Sequence, residues 1–290
     1  MLAVVATVVL TAADITASSR IVYADSSFHG DRGMVTHAQV SDATQCADVL
    51  FVGVRGSGQE EALDDGFGAQ VNSVRQGFLH ELTVQESSAT VRSHAFDYHA
   101  ADIDVFPLTA HNNTDFLQSV QGGIERLSAL LRSHQSACPH EKVVLAGYSQ
   151  GALVAHGAVQ ASPEQHSRIA ALLLISDPAI NTDLANLGNT ERAGTGAFDL
   201  FVQGAQPVFE EGLEDRSFNL CNNRDIVCDA SAVGDRLLHA WAVATHRPHT
   251  GFLLILWEVS NAYGTHTAYG EAELRSLGSA GAAEWVEVSA

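Results

Sequence analysis

The sequence predicts one α/β domain, a central and mostly parallel β-sheet with helices on both faces. Three observations carry this expectation. Apolar runs recur at Asp48 to Val54, Val143 to Ala146 and Ile169 to Ile175, as in strands buried on both sides. Stretches with helical spacing of apolar residues lie between them. The alternation of the two is the pattern of parallel crossovers, since parallel neighbours need a long connection rather than a tight turn.

Taken in order, residues 1–45 come before any strand signal. Leu2 to Leu10 is apolar and small residues continue to Ala13, too short to span a bilayer but similar to the h-region of a secretory signal. No Lys or Arg precedes it, and the first basic residue is Arg20. Val22-Tyr23-Ala24 is the candidate cleavage site and Thr11-Ala12-Ala13 a weaker one. We expect a leader over 1–24, an N-terminal arm over 25–45, a folded domain over 46–290, and export. No other segment is apolar enough for a membrane helix, so integral membrane association is not expected.

Asp48 to Val54 reads as the first buried strand, and Arg55 to Gly68 as a Gly-rich loop. Val71, Val74, Phe78 and Leu79 place a helix over Phe67 to Leu82. Thr90 to Tyr98 alternates as a strand does. Asn113-Thr114-Asp115 can cap a helix to about Gln135, with Phe116, Val120, Ile124, Leu127 and Leu131 on one face. Val143 to Ala146 is a strand and Ala152 opens a helix; Ile169 to Ile175 is the next strand, ending at Ser176-Asp177-Pro178. Residues 179–216 are irregular and rich in Gly, Asn and Thr, an excursion over the surface. Phe218-Asn219-Leu220 is a short strand leading into Cys221.

Composition narrows the function. The chain has 290 residues, 46% of them apolar and 17% charged, with a formal charge of −19. That charge disfavours nucleic acids and anionic membrane surfaces, which attract basic patches. The four cysteines, Cys46, Cys138, Cys221 and Cys228, are an even number, and in an exported protein allow two bridges in three pairings. Cys221 and Cys228 close a short loop, so local pairing is the natural expectation, leaving Cys46 with Cys138. Their spacing lacks the C-x₂₋₄-C pattern of a zinc site, and no metal is expected.

Gly147-Tyr148-Ser149-Gln150-Gly151 lies between a strand and a helix, the setting a nucleophile elbow requires. So tight a turn needs small residues two before and two after the serine. The serine oxygen would then stand above the sheet edge beside a helix N-terminus, whose free N–H groups stabilise an anion. A serine hydroxyl needs a histidine base, and the histidine an acid to orient it. In chain order the acid follows the serine and the histidine comes last. Asp225, within the Cys221–Cys228 loop, is the favoured acid, with Asp177 as the rival. The downstream histidines are His239, His246, His249 and His266. His239 reads as helical, His246 and His249 as flanking a loop, and His266 as lying in a loop before the final helix.

These pieces together resemble the cutinase family of serine esterases. The resemblance rests on Cys46-Ala47-Asp48-Val49, Arg55-Gly56-Ser57, the elbow, the Cys221…Asp225…Cys228 loop, and His266 followed by Tyr269. It implies an α/β-hydrolase of cutinase type, with Ser149 as nucleophile, Asp225 as acid and His266 as base. It also implies bridges Cys46–Cys138 and Cys221–Cys228, and an oxyanion hole from Ser57 and Gln150. The chain departs from the family in two insertions, at about 179–216 and 231–264. The second carries Trp241, Phe252 to Leu256 and Trp257, and either covers the site, forms an acyl-binding wall, or packs as an extra core helix or strand.

The expectation is a secreted, monomeric esterase with no cofactor, acting on a small-molecule, lipid or polymer ester through an acyl-enzyme. Acetylated sugars, phospholipids and mycolate esters are alternative substrates on the same scaffold, separable by a chain-length series of esters. The competing class is a non-catalytic surface-binding protein that keeps the fold, separable by reaction with a fluorophosphonate.

Overall fold

The computed structural model describes residues 46–102, 110–180, 185–186, 196–197 and 213–289. The expected leader and arm, and most of the 179–216 excursion, lie outside the described residues.

Six strands form one sheet: β1 Val49–Val54, β2 Val91–Ala95, β3 Lys142–Tyr148, β4 Ile169–Ile175, β5 Ala185–Asn186 and β6 Ser217–Leu220. The order is β2-β1-β3-β4-β6-β5, and every pairing is parallel. The helices are α1 Ala69–Val84, α2 Ala110–Ala137, α3 Gln150–Gln160, α4 Ala230–His246, α5 Pro248–Thr267 and α6 Glu271–Ser289.

Strand alternation divides the interior into two cores. Leu50, Val52 and Leu145 point to one face, against Val120, Leu127 and Leu131 of α2 and Val154 and Val159 of α3. Val49, Phe51 and Val144 point to the other, against Val71, Val74 and Phe78 of α1 and Leu274 and Leu277 of α6. β1, β3 and β4 are therefore covered on both sides, the reason they read as unbroken apolar runs. Each such Leu, Ile or Phe contributes about 1.5–3 kcal/mol on burial. Helices α1 and α6 touch backbone to backbone: a Cβ on Gly77 would collide with the main chain of Arg275, and one on Gly278 with the carbonyl of Val74.

The largest departures from the expected boundaries are three. Helix α2 starts at Ala110, so Asn113-Thr114-Asp115 lies within the helix instead of capping it. β2 ends at Ala95, beyond which the chain leaves the β1 ladder. His266 belongs to the last turn of α5, not to a loop. The second insertion is a helical hairpin, α4–α5. Arg247, at φ −139° and ψ 79°, breaks the first helix, and Pro248 restarts the second from a preset φ.

Chain order reverses at β1, which lies between β2 and β3. In open parallel sheets ligands bind at such a switch point, beyond the carboxyl ends of the strands. The loop after β1 and the turn after β3 meet there. Bridges Cys46–Cys138 and Cys221–Cys228 are both formed, across sequence separations of 92 and 7. The first ties the entry to β1 to the end of α2, and the second closes the loop after β6.

Candidate active site

Ser149 occupies the single residue between β3 and α3, at φ 54° and ψ −117°. A non-glycine residue there is strained, and strain of this kind persists only where the surroundings enforce it. A Cβ on Gly147 would strike the backbone of Gly151 and Ala152, and one on Gly151 the carbonyl oxygens of Val54 and Arg55. Both elbow glycines are thus demanded by close packing. Backbone bonds step across the sheet edge, from Ser149 N–H to the carbonyl of Ile175 (2.9 Å) and from Ser176 N–H to that of Leu220 (2.9 Å). The ends of β3, β4 and β6 are held side by side in this way.

The structure brings Ser149, His266 and Asp225 together. His266 Nε2 is 3.1 Å from Ser149 Oγ, and His266 Nδ1 is 3.0 and 3.1 Å from the two carboxylate oxygens of Asp225. All three residues are buried. Asp225 also accepts bonds from Ser176 Oγ (2.7 Å), the Tyr269 hydroxyl (2.6 Å) and the Val227 N–H (2.8 Å). Burial alone would push its carboxyl up. The bond and charge of His266, the Tyr269 hydroxyl and the Val227 N–H outweigh that and hold it below its ordinary value. Burial, with the Asp225 charge alongside, pushes the Tyr269 hydroxyl well above its ordinary value, so it stays protonated and remains a donor.

The imidazole is held from other directions as well. The Tyr148 ring stacks on it, centroids 5.3 Å apart and 18° from parallel, and the Tyr148 hydroxyl donates to the His266 carbonyl (3.0 Å). Asn222 Nδ2 donates to the carbonyls of Thr265 (3.3 Å) and Ala268 (3.4 Å), fastening the disulfide loop to the end of α5. The loop carries its own support: Arg224, at φ 66°, donates its N–H to Asp229 Oδ2 (2.7 Å).

The rivals are placed elsewhere. Asp177 is fully buried, 2.5 Å from His156 Nδ1, and accepts the Ala179 N–H (2.9 Å), the behaviour of a turn aspartate before proline. His239, His246 and His249 are exposed, on α4 and at its junction with α5. Ser176 is the residue the sequence reading passed over. Its only signal was a hydroxyl at a strand end, and its contact with Asp225 spans distant parts of the chain.

Ser57 lies in the loop after β1 and donates its hydroxyl to the Ala101 carbonyl. That loop is laced by Arg55, whose guanidinium donates to the carbonyls of Gln59 (3.1 Å), Phe96 (3.4 Å) and Tyr98 (2.7 Å). A Cβ on Gly56 would strike the Tyr148 ring, so the loop lies against the end of β3. Gln150 is the first residue of α3, where main-chain N–H groups have no acceptor within the helix. Its side chain is turned away and donates to Ser119 Oγ (2.9 Å). Among the described residues no group of three or more His, Cys, Asp or Glu side chains is placed to hold a metal ion.

The family model for cutinase matches residues 45–245, which include Ser57, Ser149 and Asp225 but stop short of His266. The carboxylesterase Culp1 of Mycobacterium tuberculosis is 26% identical over 191 residues, 66% of this chain and 72% of that one. A cutinase of Kineococcus radiotolerans is 32% identical over 146 residues, 47% of this chain and 42% of that one. Among solved structures, a cutinase-like protein from Cryptococcus sp. is 21% identical with a TM-score of 0.47, covering 64% of this chain and 80% of that one. With most of its length matched by the family model, the chain belongs to the cutinase family and is a carboxylic ester hydrolase.

Proposed function

We propose that this protein is a secreted serine esterase that works through a Ser149–His266–Asp225 triad and an acyl-enzyme. The observation that carries the reading is the unbroken line of contacts from Ser149 Oγ to His266 Nε2 (3.1 Å) and from His266 Nδ1 to Asp225 (3.0 Å). These distances fall within the reach a general base requires. Ser149 attacks the ester carbonyl while His266 takes its proton. Asp225 holds the imidazole in the tautomer that leaves Nε2 free to accept, and stabilises the imidazolium once formed. His266 then protonates the leaving alcohol. Water, activated by the same imidazole, releases the acid and restores the serine.

The oxyanion donors in this reading are the main-chain N–H of Gln150 and the Ser57 segment, which Arg55 and Tyr148 keep in place. Losing one such donor typically lowers the rate by ~10²–10³. Two bridges and no free cysteine favour export, since disulfides persist in oxidising compartments. We take residues 46–290 as one catalytic unit, and aliphatic carboxylic esters as its substrates.

A fluorophosphonate probe tests the mechanism. The wild-type protein should label quickly at Ser149, while Ser149→Ala and His266→Ala should not, and alanine variants of His239, His246 and His249 should label normally. Equal labelling of the wild type and Ser149→Ala would mean that Ser149 is not an activated nucleophile.

A further inference from the structure

Helix α5 turns small residues inward and large apolar side chains outward. Its buried positions hold Gly251, Ala262 and His266, and Gly251 packs so closely on α4 that a Cβ there would strike Ala244. Its outer positions hold Phe252 (59% exposed), Leu253 (66%), Trp257 (55%) and Tyr263 (47%). Leu238 (69%) and Trp241 (61%) extend the same exposure onto α4. A helix on a soluble surface keeps such groups inside and polar groups outside. Elsewhere among the described residues, large exposed apolar side chains are scattered singly, at Leu63, Val84, Leu117 and Val288. A contiguous apolar face of this kind marks an interaction surface.

Charge identifies the partner. The chain carries −19 overall, yet the hairpin's four formal charges balance, Asp235 and Glu258 against Arg236 and Arg247, and both acids stand away from the junction, none lying between Arg236 and Trp257. Arg236 faces Glu258 at 3.5 Å, while His246, Arg247 and His249 stand exposed at the junction of the two helices. The helices pack chiefly on one another. Charges beyond a Debye length of about 8 Å are largely screened, so a surface meeting this hairpin senses the hairpin's own charges more than those of the acidic body. Exposed tryptophans beside basic residues are the composition of elements that lie in a lipid interface. No helix among the described residues is long and apolar enough to cross a membrane.

We propose that the α4–α5 hairpin docks in the plane of an anionic lipid surface, its outer apolar face sunk at the headgroup boundary and its basic junction against the headgroups. The hairpin continues into the site, because His266 occupies the last turn of α5 and the Tyr263 ring lies 6.5 Å from the imidazole. Docking therefore sets the nucleophile beside esters held in that surface. The consequence for substrate choice rests on the esterase reading, whereas docking itself does not.

The full chain carrying Ser149→Ala, which cannot consume the lipid, is mixed with phosphatidylcholine–phosphatidylglycerol vesicles. It should sediment with them, and its tryptophan emission should shift to the blue through Trp241 and Trp257, Trp285 being already buried. Leu238→Ser/Phe252→Ser/Leu253→Ser, at exposed positions, should weaken vesicle binding by about tenfold or more. Arg247→Glu should weaken it on anionic vesicles. In an otherwise native chain the triple variant should keep its activity on dissolved p-nitrophenyl butyrate and lose activity on an ester embedded in vesicles. Absence of vesicle binding, or binding untouched by the triple variant, overturns the proposal. So does a concentration-dependent blue shift and doubled mass without lipid, which would assign the face to a second copy. Vesicle binding in a protein inert toward dissolved esters would sink the esterase reading and leave the docking intact.

Discussion

Replacing Tyr269 with phenylalanine removes one oxygen and keeps the ring that packs edge-on against Tyr148. The lost hydroxyl donates to Asp225 Oδ2 at 2.6 Å and accepts the Asn222 N–H at 3.2 Å. A hydrogen bond to a charged group contributes ~1.5–3 kcal/mol, so its loss should move the Asp225 carboxyl back up toward its ordinary value. Its native value is depressed, so its stabilising contribution is present above the unfolded carboxylate value of about 3.9 and is lost as pH falls through the lower native value. Tyr269→Phe should therefore lower stability at neutral pH by ~1.5–3 kcal/mol, a difference that shrinks in acid. A carboxylate with fewer donors also holds the imidazolium proton more firmly. The acid limb of kcat/KM should therefore move to higher pH. The assay is p-nitrophenyl butyrate hydrolysis over a pH series, beside urea unfolding at neutral and acid pH. An unmoved acid limb together with a stability change under about 0.5 kcal/mol would show that the hydroxyl does not support the carboxylate.

Other substitutions probe the scaffold. Gly151→Ala drives a methyl group into the Val54 and Arg55 carbonyls, and should lower kcat by about 10² through displacement of Ser149; esterase kinetics on the folded variant decide this, and an unchanged kcat would refute the packing argument. Burial, with His134 and Arg92 nearby, holds His94 down at about 4. The unfolded chain thus takes up a proton that the native state refuses, and stability should fall by up to about 3 kcal/mol as pH drops from about 6.5 to about 4. Urea midpoints across that window should show this loss reduced in His94→Gln, and identical pH dependence in both proteins would count against it. Opening the Cys46–Cys138 bridge with paired serines should cost about 4–5 kcal/mol of stability in the chain-entropy model, given its separation of 92 residues; calorimetry showing no change in melting would rule that out.

The local parts of this protein were legible in its sequence. β1, β3 and β4 announced themselves because strands covered on both faces must be apolar at every position. The elbow was legible because Gly147 and Gly151 meet steric demands within a few residues of Ser149. Asp225 was marked by the short bridge around it. Helix boundaries were less legible, since a capping-type triplet such as Asn113-Thr114-Asp115 can also lie inside a helix, as it does in α2.

What the tertiary structure decided was which distant groups meet. Among four downstream histidines the residues alone did not decide, and it was the family resemblance that pointed to His266; the placement of α5 brings His266 to Ser149 while leaving His239, His246 and His249 exposed. Ser176 was no more than a hydroxyl at a strand end, because its contact with Asp225 comes from the parallel register that sets the ends of β4 and β6 side by side. The outward face of α4–α5 was hidden for a related reason. An apolar residue reads the same in a sequence whether it packs inside or faces solvent, and the direction is set by what packs against the opposite side, here the small residues Ala244 and Gly251.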